Sequence, residues 1–450
     1  MKIGLKLLSN LAIGISVLAT VLLFNIAHVE SQESEQINLQ GKHLVVISDG
    51  DFFASSYVDD RLPKIDPRYQ DALTIIPLPL GSETVSLNVS NSVNAPPEVL
   101  ALAPGGNTAF VIEYLGQRNS DTKTRENLPP GRWLTMVDLT NPRQPKIRDR
   151  LEIAQFPEAI DVHPSGKWLA ITTDSGESEV LQFIPVNDST LGKPISISLE
   201  NLGISATEGE LNASYVEWHP NGRYLALNLY RQNHIVFLEF TQDKTSGEVS
   251  LKPWGKPVTV DADPFSGRFT ADGKYYLTAN WKRNFEAHSL EERLPTQRST
   301  VSVIRLGDPS GYAPRNRSHQ LITTVASDLS SEGIAISPDG KLVATANMRD
   351  TALPTSSPRF TREATVSLFR LDTNSGQLRK VGDYPFEGVL PEGISFDATG
   401  EHLIVATFEY LDSTQGGLDI WRVNPEPNLG LQYAGRINVP HGSHQVIVSP

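Results

Sequence analysis

Residues 331–347 decide the fold, and they read Ser-Glu-Gly-Ile-Ala-Ile-Ser-Pro-Asp-Gly-Lys-Leu-Val-Ala-Thr-Ala-Asn. Two short apolar runs, Ile334–Ile336 and Leu342–Ala346, flank the tetrapeptide Ser337-Pro-Asp-Gly340. Proline presets φ at the second position of a turn and glycine supplies a positive φ, so the tetrapeptide predicts a tight turn. The alternating runs on either side predict the two strands of a hairpin.

The same hairpin recurs along the chain. Six turns end in a glycine at the equivalent position, namely Pro104–Gly106, His163–Gly166, His219–Gly222, Thr270–Gly273, Ser337–Gly340 and Asp397–Gly400. A second and a third strand follow each turn, and a weaker fourth strand can be placed after them. Four strands in a unit of roughly 50 to 65 residues are typical of a blade of a β-propeller.

The two ends of the chain supply one further repeat. Residues 444–450 at the C-terminus match a first strand and half of a turn, and Gly41–Ser48 match Gly340–Asn347 position by position. We therefore predict an all-β, seven-bladed propeller of four-stranded antiparallel blades, in which one blade is split between the N- and C-termini. A split blade closes the ring and removes the exposed sheet edges that an open array would leave.

The N-terminus predicts export. Lys2 and Lys6 precede an apolar run from Leu11 to Phe24, which matches a secretory signal over residues 1–31 or, alternatively, an N-terminal anchor. Residues 32–41 would be a short leader, and residues 42–450 a single propeller domain. A periplasmic or cell-surface protein of bacteria is expected, because the chain has no cysteine and a large core needs no disulfide.

Charge and composition restrict the partners. The net charge is −13 and no block of Lys or Arg occurs, which argues against nucleic acid and against a membrane partner beyond the anchor. Thiol nucleophiles and cysteine-ligated metals are excluded. We expect a monomer whose partner is a small polar ligand or a protein.

The blade motifs resemble a known family. Pro391-Glu-Gly-Ile394, Ser337–Lys341 and a strand such as Thr365–Leu371 are similar to the YVTN-type and lactonase-like seven-bladed propellers of bacteria, and the resemblance extends from about Lys42 to Pro450. It implies the fold. Lactonase-like enzymes of this fold would suggest the opening of a sugar-acid lactone, but no catalytic residue set is carried over.

One residue per blade should lie at the mouth of the central channel. The residues eight positions before each turn glycine, or at the matching position of the C-terminal strand, are Glu98, Glu158, Ser214, Phe265, Glu332, Glu392 and His444. Five of them would form an arc of carboxylates and imidazole that could hold a divalent cation (Ca²⁺ or Mg²⁺) or transfer protons. The predicted metal ligands are Glu332, Glu392, His444 and Glu98. Alternatively, these glutamates only cap backbone N–H groups at the start of each blade.

The loops between second and third strands should share the face of this arc. Four are long, namely Asp49–Gln70, Tyr114–Trp133, Trp281–Arg298 and Met348–Ala364. Long loops on a rigid scaffold commonly carry binding sites. The first is acidic and aromatic, whereas the last two are basic and include Arg283 and Arg349, which could contact a bipolar ligand or pair with other loops.

Two asparagines, Asn280 and Asn347, end equivalent second strands and are predicted to point toward the same entrance. The leading prediction is an exported scaffold that binds a ligand, cation or protein on the long-loop face. The alternative is a lactonase-like hydrolase that uses the Glu/His arc, with or without a divalent metal. A third interpretation is a surface protein with a purely structural role.

Overall fold

The computed structural model of the chain describes residues 37–92, 98–174, 180–206, 211–243, 247–307, 318–413 and 415–449. The predicted signal or anchor over 1–31 lies outside the described residues, as does the first half, 32–36, of the predicted leader. Within the described ranges, no helix is long and apolar enough to span a bilayer.

Seven antiparallel sheets form the described structure, and one of them is built from both ends of the chain. The C-terminal strand Ser443–Ser449 is innermost in this split blade, and it is followed outward by His43–Ser48, Ala72–Pro77 and Val85–Asn88. His43 pairs with Ser449 on one side and with Pro77 on the other. The predicted seven-bladed propeller and its split blade are therefore confirmed.

Four of the other blades have four strands each, and we number the blades from 1 to 6 along the chain. The strands of blade 1 are Leu100–Leu102, Thr108–Ile112, Trp133–Asp138 and Lys146–Glu152. Those of blade 4 are Pro264–Phe269, Tyr275–Asn280, Thr300–Arg305 and Gln320–Ala326. Those of blade 5 are Ser331–Ile336, Leu342–Asn347, Glu363–Leu371 and Leu378–Glu387. Those of blade 6 are Val389–Phe396, His402–Glu409, Gly416–Asn424 and Gly430–Val439.

Blades 2 and 3 differ from the prediction at their outer edge, which is formed by two short strands instead of one. Blade 2 consists of Pro157–Val162, Trp168–Thr173, Leu181–Asn187, Thr190–Leu191 and Ile195–Ile197. Blade 3 consists of Tyr215–Trp218, Tyr224–Leu229, His234–Gln242, Val249–Pro253 and Val258–Thr259. The third strand of blade 3 has nine residues and pairs with both outer pieces, so two short strands stand where the repeat pattern predicts a single fourth strand.

Burial decreases from the inside of a blade to its outside. All six residues of the second strand Tyr224–Leu229 are buried, whereas the outermost strand Val85–Asn88 alternates between partly buried and exposed residues. Glycines allow the inner strands of neighbouring blades to approach: a Cβ on Gly333 would lie 2.2 Å from the Glu392 carbonyl oxygen, and one on Gly393 would lie 2.6 Å from the His444 carbonyl oxygen. The Glu-Gly motif is therefore partly a requirement of blade packing.

Short helices lie between the strands. The α-helices span Ala54–Asp59 and Leu290–Arg293, and 3₁₀ turns span Arg125–Asn127, Glu200–Leu202 and Tyr230–Gln232. Both α-helices and the first 3₁₀ turn belong to the predicted long loops.

Candidate functional site

The long loops meet around a pocket of about 290 Å³, which we call the long-loop pocket. Each of the four long loops contributes to its lining: Tyr57 and Asp60, Arg125 and Glu126, Trp281, Arg283 and Arg293, and Met348 and Ala352. Glu332, Leu390 and Glu392 complete this lining from the inner strands of blades 5 and 6. Chain segments that are distant in sequence thus form one concave site.

Two short helices form part of the wall. The helix Ala54–Asp59 carries Tyr57, whose ring lies 5.0 Å from the ring of the fully buried Phe52. The helix Leu290–Arg293 is capped by the Ser289 side chain, which accepts a hydrogen bond of 3.3 Å from the Glu292 N–H. The two helices contact each other, so the loops of the split blade and blade 4 support one another.

Glu332 and Glu392 are the buried acidic groups among the residues that line the long-loop pocket. Their exposed fractions are 6% and 4%. Burial raises the pKa of Glu332 to about 8, against the opposing charge of Arg283. Burial also raises the pKa of Glu392 well above its usual range, and the charges of Glu332 and Asp49 add to this shift. The pair therefore retains a proton near neutral pH.

Arg283 is the buried cation of the same wall. Its guanidinium donates to both carboxylate oxygens of Asp263, at 2.8 and 2.9 Å. It also lies over the rings of Phe265 and Trp281, 4.2 and 4.4 Å from their centroids. The ion pair and the stacked rings fix the position of the guanidinium. Burial alone would lower the pKa of Arg283, but the charge and hydrogen bonds of Asp263 raise it, and the charge of Glu332 adds to this shift.

Two further arginines lie at the mouth of the pocket. Arg125 pairs with Asp60 at 3.3 Å. Burial and the nearby charges of Arg283 and Arg125 lower the pKa of Arg293. Three guanidinium groups are therefore close enough to repel one another, an arrangement that an anionic ligand would stabilise.

Several basic loop residues pair with neighbouring acids, as expected from the alternative interpretation in which the charged loops pair with one another. Arg359 donates to Asp350 at 2.7 Å, and Arg298 donates to Asp383 at 3.0 Å. The predicted ligand contact Arg349 lies 3.7 Å from Asp328 and donates to the Glu363 carbonyl at 3.1 Å.

Glu98 lines a second cavity, whose lining includes neither Glu332 nor Glu392. Its carboxylate accepts from Arg268 at 2.7 Å and from Gln445 at 3.1 Å. Glu158 is buried, and its pKa is raised by burial and by the charge of Asp174. Neither Glu98 nor Glu158 lines the long-loop pocket, although the charge of Arg283 acts on Glu158 as well as on Glu332.

His444 and the two asparagines have partners inside the fold. His444 is fully buried with its Nε2 2.9 Å from Asn91 Oδ1, and burial lowers its pKa to about 3. The amide of Asn280 donates to Thr300 and Ser302, and that of Asn347 to Thr365 and Ser367. Both asparagines are completely buried. Polar groups of the adjacent strand hold both side chains within the blade, away from solvent.

The four predicted metal ligands do not converge, since Glu98 is paired with Arg268 and His444 with Asn91. In the described part of the chain, one group of carboxyl oxygens has a spacing suited to a cation: those of Asp49, Asp51 and Asp71 lie within 4.8 Å of one another. Protein groups already contact this cluster, because Ser92 donates to Asp49 at 3.1 Å and Arg118 lies 3.2 Å from Asp51.

Comparison with known proteins agrees with the resemblance in the motifs. The family described as "Lactonase, 7-bladed beta-propeller" matches residues 297–410. A 6-phosphogluconolactonase of Formosa agariphila is 23% identical over 261 residues, which cover 56% of this chain and 63% of that protein. The chain therefore spans less than two thirds of the length of this relative.

Solved structures share the architecture. The periplasmic gluconolactonase PpgL of Pseudomonas aeruginosa superposes with a TM-score of 0.60 at 16% identity, covering 90% of this chain and 100% of that one. The propeller domain of Cps50 (Swd1) from Myceliophteria thermophila superposes with a TM-score of 0.51 at 13% identity, covering 86% and 99%. At such identities the superpositions establish the fold alone. With the family match, they confirm that the chain resembles lactonase-like seven-bladed propellers.

Proposed function

We propose that this protein hydrolyses a lactone bound in the long-loop pocket, with Glu332 and Glu392 as its proton-transferring pair. The observation that carries the proposal is the placement of these two buried carboxyl groups in the wall of a pocket beside Arg283. Once one of the two glutamates has lost its proton, the pair offers one carboxylate as a base and one carboxylic acid as an acid.

The reaction uses these groups in sequence. The carboxylate takes a proton from a water molecule, and the resulting hydroxide adds to the lactone carbonyl. The guanidinium of Arg283 stabilises the oxyanion that forms. The bond between the carbonyl carbon and the ring oxygen then breaks, and the protonated glutamate gives its proton to that oxygen. The product is a hydroxy acid, and the pair again holds one proton.

The charge at the mouth of the long-loop pocket and the activities named for similar proteins both suggest the substrate class. Arg125 and Arg293 place positive charge at the mouth of the pocket, which suits a substrate with a phosphate or carboxylate substituent. Similar proteins include a 6-phosphogluconolactonase and a periplasmic gluconolactonase. We propose an anionic sugar lactone, and an exported location for the protein.

A binding scaffold without turnover is the second candidate. The pocket presents the aromatic surfaces of Tyr57, Phe265 and Trp281, on which a sugar ring or a side chain of a partner protein can stack. This function needs the pocket and its arginines but no proton transfer by the glutamates.

Hydrolysis of δ-gluconolactone and of 6-phospho-δ-gluconolactone, followed with and without EDTA, tests the proposal. We expect turnover above the spontaneous rate, and a loss of about 100-fold or more in Glu392→Gln and Glu332→Gln. The control variant is Glu239→Gln, which removes an acid from the ion pair that Glu239 forms with Arg223 at 2.6 Å.

Two outcomes would overturn the lactonase proposal: no turnover of either lactone, or turnover that neither glutamate variant reduces. Lactone binding detected by calorimetry without turnover would favour the scaffold. Loss of that binding in Arg293→Gln would then identify the long-loop pocket as its site.

A further inference from the structure

A second cavity, of about 460 Å³, occupies the central channel and is larger than the long-loop pocket. It is lined by the inner strands of the blades and by residues of the hairpin turns, including Pro104 and Pro338. This channel cavity and the long-loop pocket have no lining residue in common.

One residue of each blade forms a ring around this cavity. The residues five positions before each turn glycine, or at the matching position of the C-terminal strand, all line it: Ala101, Asp161, Glu217, Arg268, Ala335, Ser395 and Ile447. The charged members belong to the consecutive blades 2, 3 and 4, and the uncharged members to the rest of the ring. The cavity therefore has one charged side.

The charge of Arg268 is already compensated. Its guanidinium donates to Glu98 at 2.7 Å and to the Gly267 carbonyl at 2.8 Å, and it also contacts the Tyr215 hydroxyl. Its charge also acts on Asp161 and Glu217, which are both half-buried, so with Glu98 this side of the cavity holds three carboxyl groups against one guanidinium.

Both acids also join neighbouring blades. Asp161 accepts from the Trp218 N–H at 2.6 Å, and Glu217 accepts from the Phe269 N–H at 2.7 Å. Gln445 makes the same kind of contact, accepting from the Leu100 N–H at 2.8 Å. A neutral amide thus suffices to join two blades, and this structural role does not require the negative charge of Asp161 and Glu217.

The other side of the cavity is apolar. It is formed by blades 5, 6 and the split blade through Ile336, Ile394, Phe396, Ile447 and Val448. A ligand that fits both sides combines a positive charge with a hydrocarbon body. The two acids in their ionised forms would repel an anion, and a neutral polyol would leave the apolar side without a partner.

We propose that the channel cavity binds a small organic cation, with its ammonium group at Asp161 and Glu217 and its apolar body against blades 5 and 6. Burial raises the pKa of both carboxyl groups. Because a bound cation favours their ionised forms, binding is best measured at about pH 8.5.

Calorimetric titration of the full chain with hexylammonium, 1-hexanol and hexanoate tests this assignment. The three probes share a hydrocarbon body and differ in charge. We expect hexylammonium to bind at least about tenfold more tightly than the other two, and Glu217→Gln to weaken it about tenfold. Glutamine keeps an acceptor for the Phe269 N–H, as Gln445 does for Leu100, so this variant should fold; its thermal unfolding checks this.

Ser395→Ala is the matched control, because it changes an uncharged member of the same ring and should leave hexylammonium affinity within about twofold of the wild type. Equal affinity for the three probes, no binding of hexylammonium, or affinity unchanged in Glu217→Gln would each overturn the proposal. Lactone hydrolysis should be unaffected by Glu217→Gln, so the two proposals can fail separately.

Discussion

Arg283 and Asp263 form a two-point ion pair that is almost completely buried, with side-chain exposures of 9% and 1%. Removing one partner leaves the other charged and without its counter-ion in a desolvated site. We expect Asp263→Asn to lower the free energy of unfolding by about 3–5 kcal/mol, measured by urea denaturation.

The exposed pair of Arg223 and Glu239 is the control for this prediction. Its N–O distance is 2.6 Å, shorter than the 2.8 Å of the buried pair, but Arg223 is 55% exposed. Glu239→Gln should therefore cost less than about 1 kcal/mol. Equal losses in the two variants would show that burial does not strengthen the inner pair.

The fold could be predicted from the sequence because the inner hairpin of a blade is strongly constrained. Its second strand is buried on both faces, as in Tyr224–Leu229, and its turn requires a positive φ, such as the 73° of Gly340. The outer strands are less constrained because solvent lies on one side of them. For this reason the two-part outer edges of blades 2 and 3 could not be placed correctly from the pattern.

The candidate site could be predicted only in part. The repeat register places Glu332 and Glu392, since their positions depend on the inner strands. It cannot predict that Glu98 pairs with Arg268, three blades away in sequence, because that contact depends on closure of the ring. The position of Arg125 depends on the conformation of its loop, for which the sequence offers no periodic signal.

The raised pKa of Glu332 predicts a stability that depends on pH. A carboxyl group with a pKa of about 8 in the folded state and near its ordinary value in the unfolded state binds more protons when folded. Its contribution to stability therefore falls as pH rises from about 4.5 to 8. Glu332→Gln should remove this pH-dependent contribution to the free energy of unfolding, so the variant gains stability relative to the wild type as pH increases.

Urea denaturation of both proteins at several pH values between about 5 and 8 measures this difference, whose slope is at most about 1.4 kcal/mol per pH unit for one proton. Comparing the two proteins cancels the other titrating groups. A difference that stays constant over this range would contradict the shifted pKa.

The contact between blade 6 and the split blade predicts a large effect for one methyl group. In Gly393→Ala the new Cβ would lie 2.6 Å from both the His444 carbonyl oxygen and the Gln445 Cα, and neither backbone atom can move independently. We expect the free energy of unfolding, measured by urea denaturation, to fall by at least about 3 kcal/mol, because overpacking forces the two strands apart.

The control is Gly203→Ala, where the glycine has a φ of 74° but no atom lies within 4 Å of a new Cβ. It should cost only about 1–2 kcal/mol of backbone strain, and equal losses would exclude crowding as the cause.

The burial of His444 predicts an imidazole that stays neutral in mild acid. Its folded-state pKa of about 3 lies below the ordinary value of 6.5, so the unfolded chain binds the extra proton first as pH falls. The contribution of His444 to stability is therefore complete above about pH 6.5 and is lost as pH falls toward 3. NMR of the imidazole carbons should show no titration of His444 between about pH 7 and 5. His444→Gln should correspondingly be less sensitive to acid than the wild type in thermal unfolding. An imidazole that titrates near pH 6.5 would contradict this prediction and would restore His444 as a candidate for proton transfer at the channel.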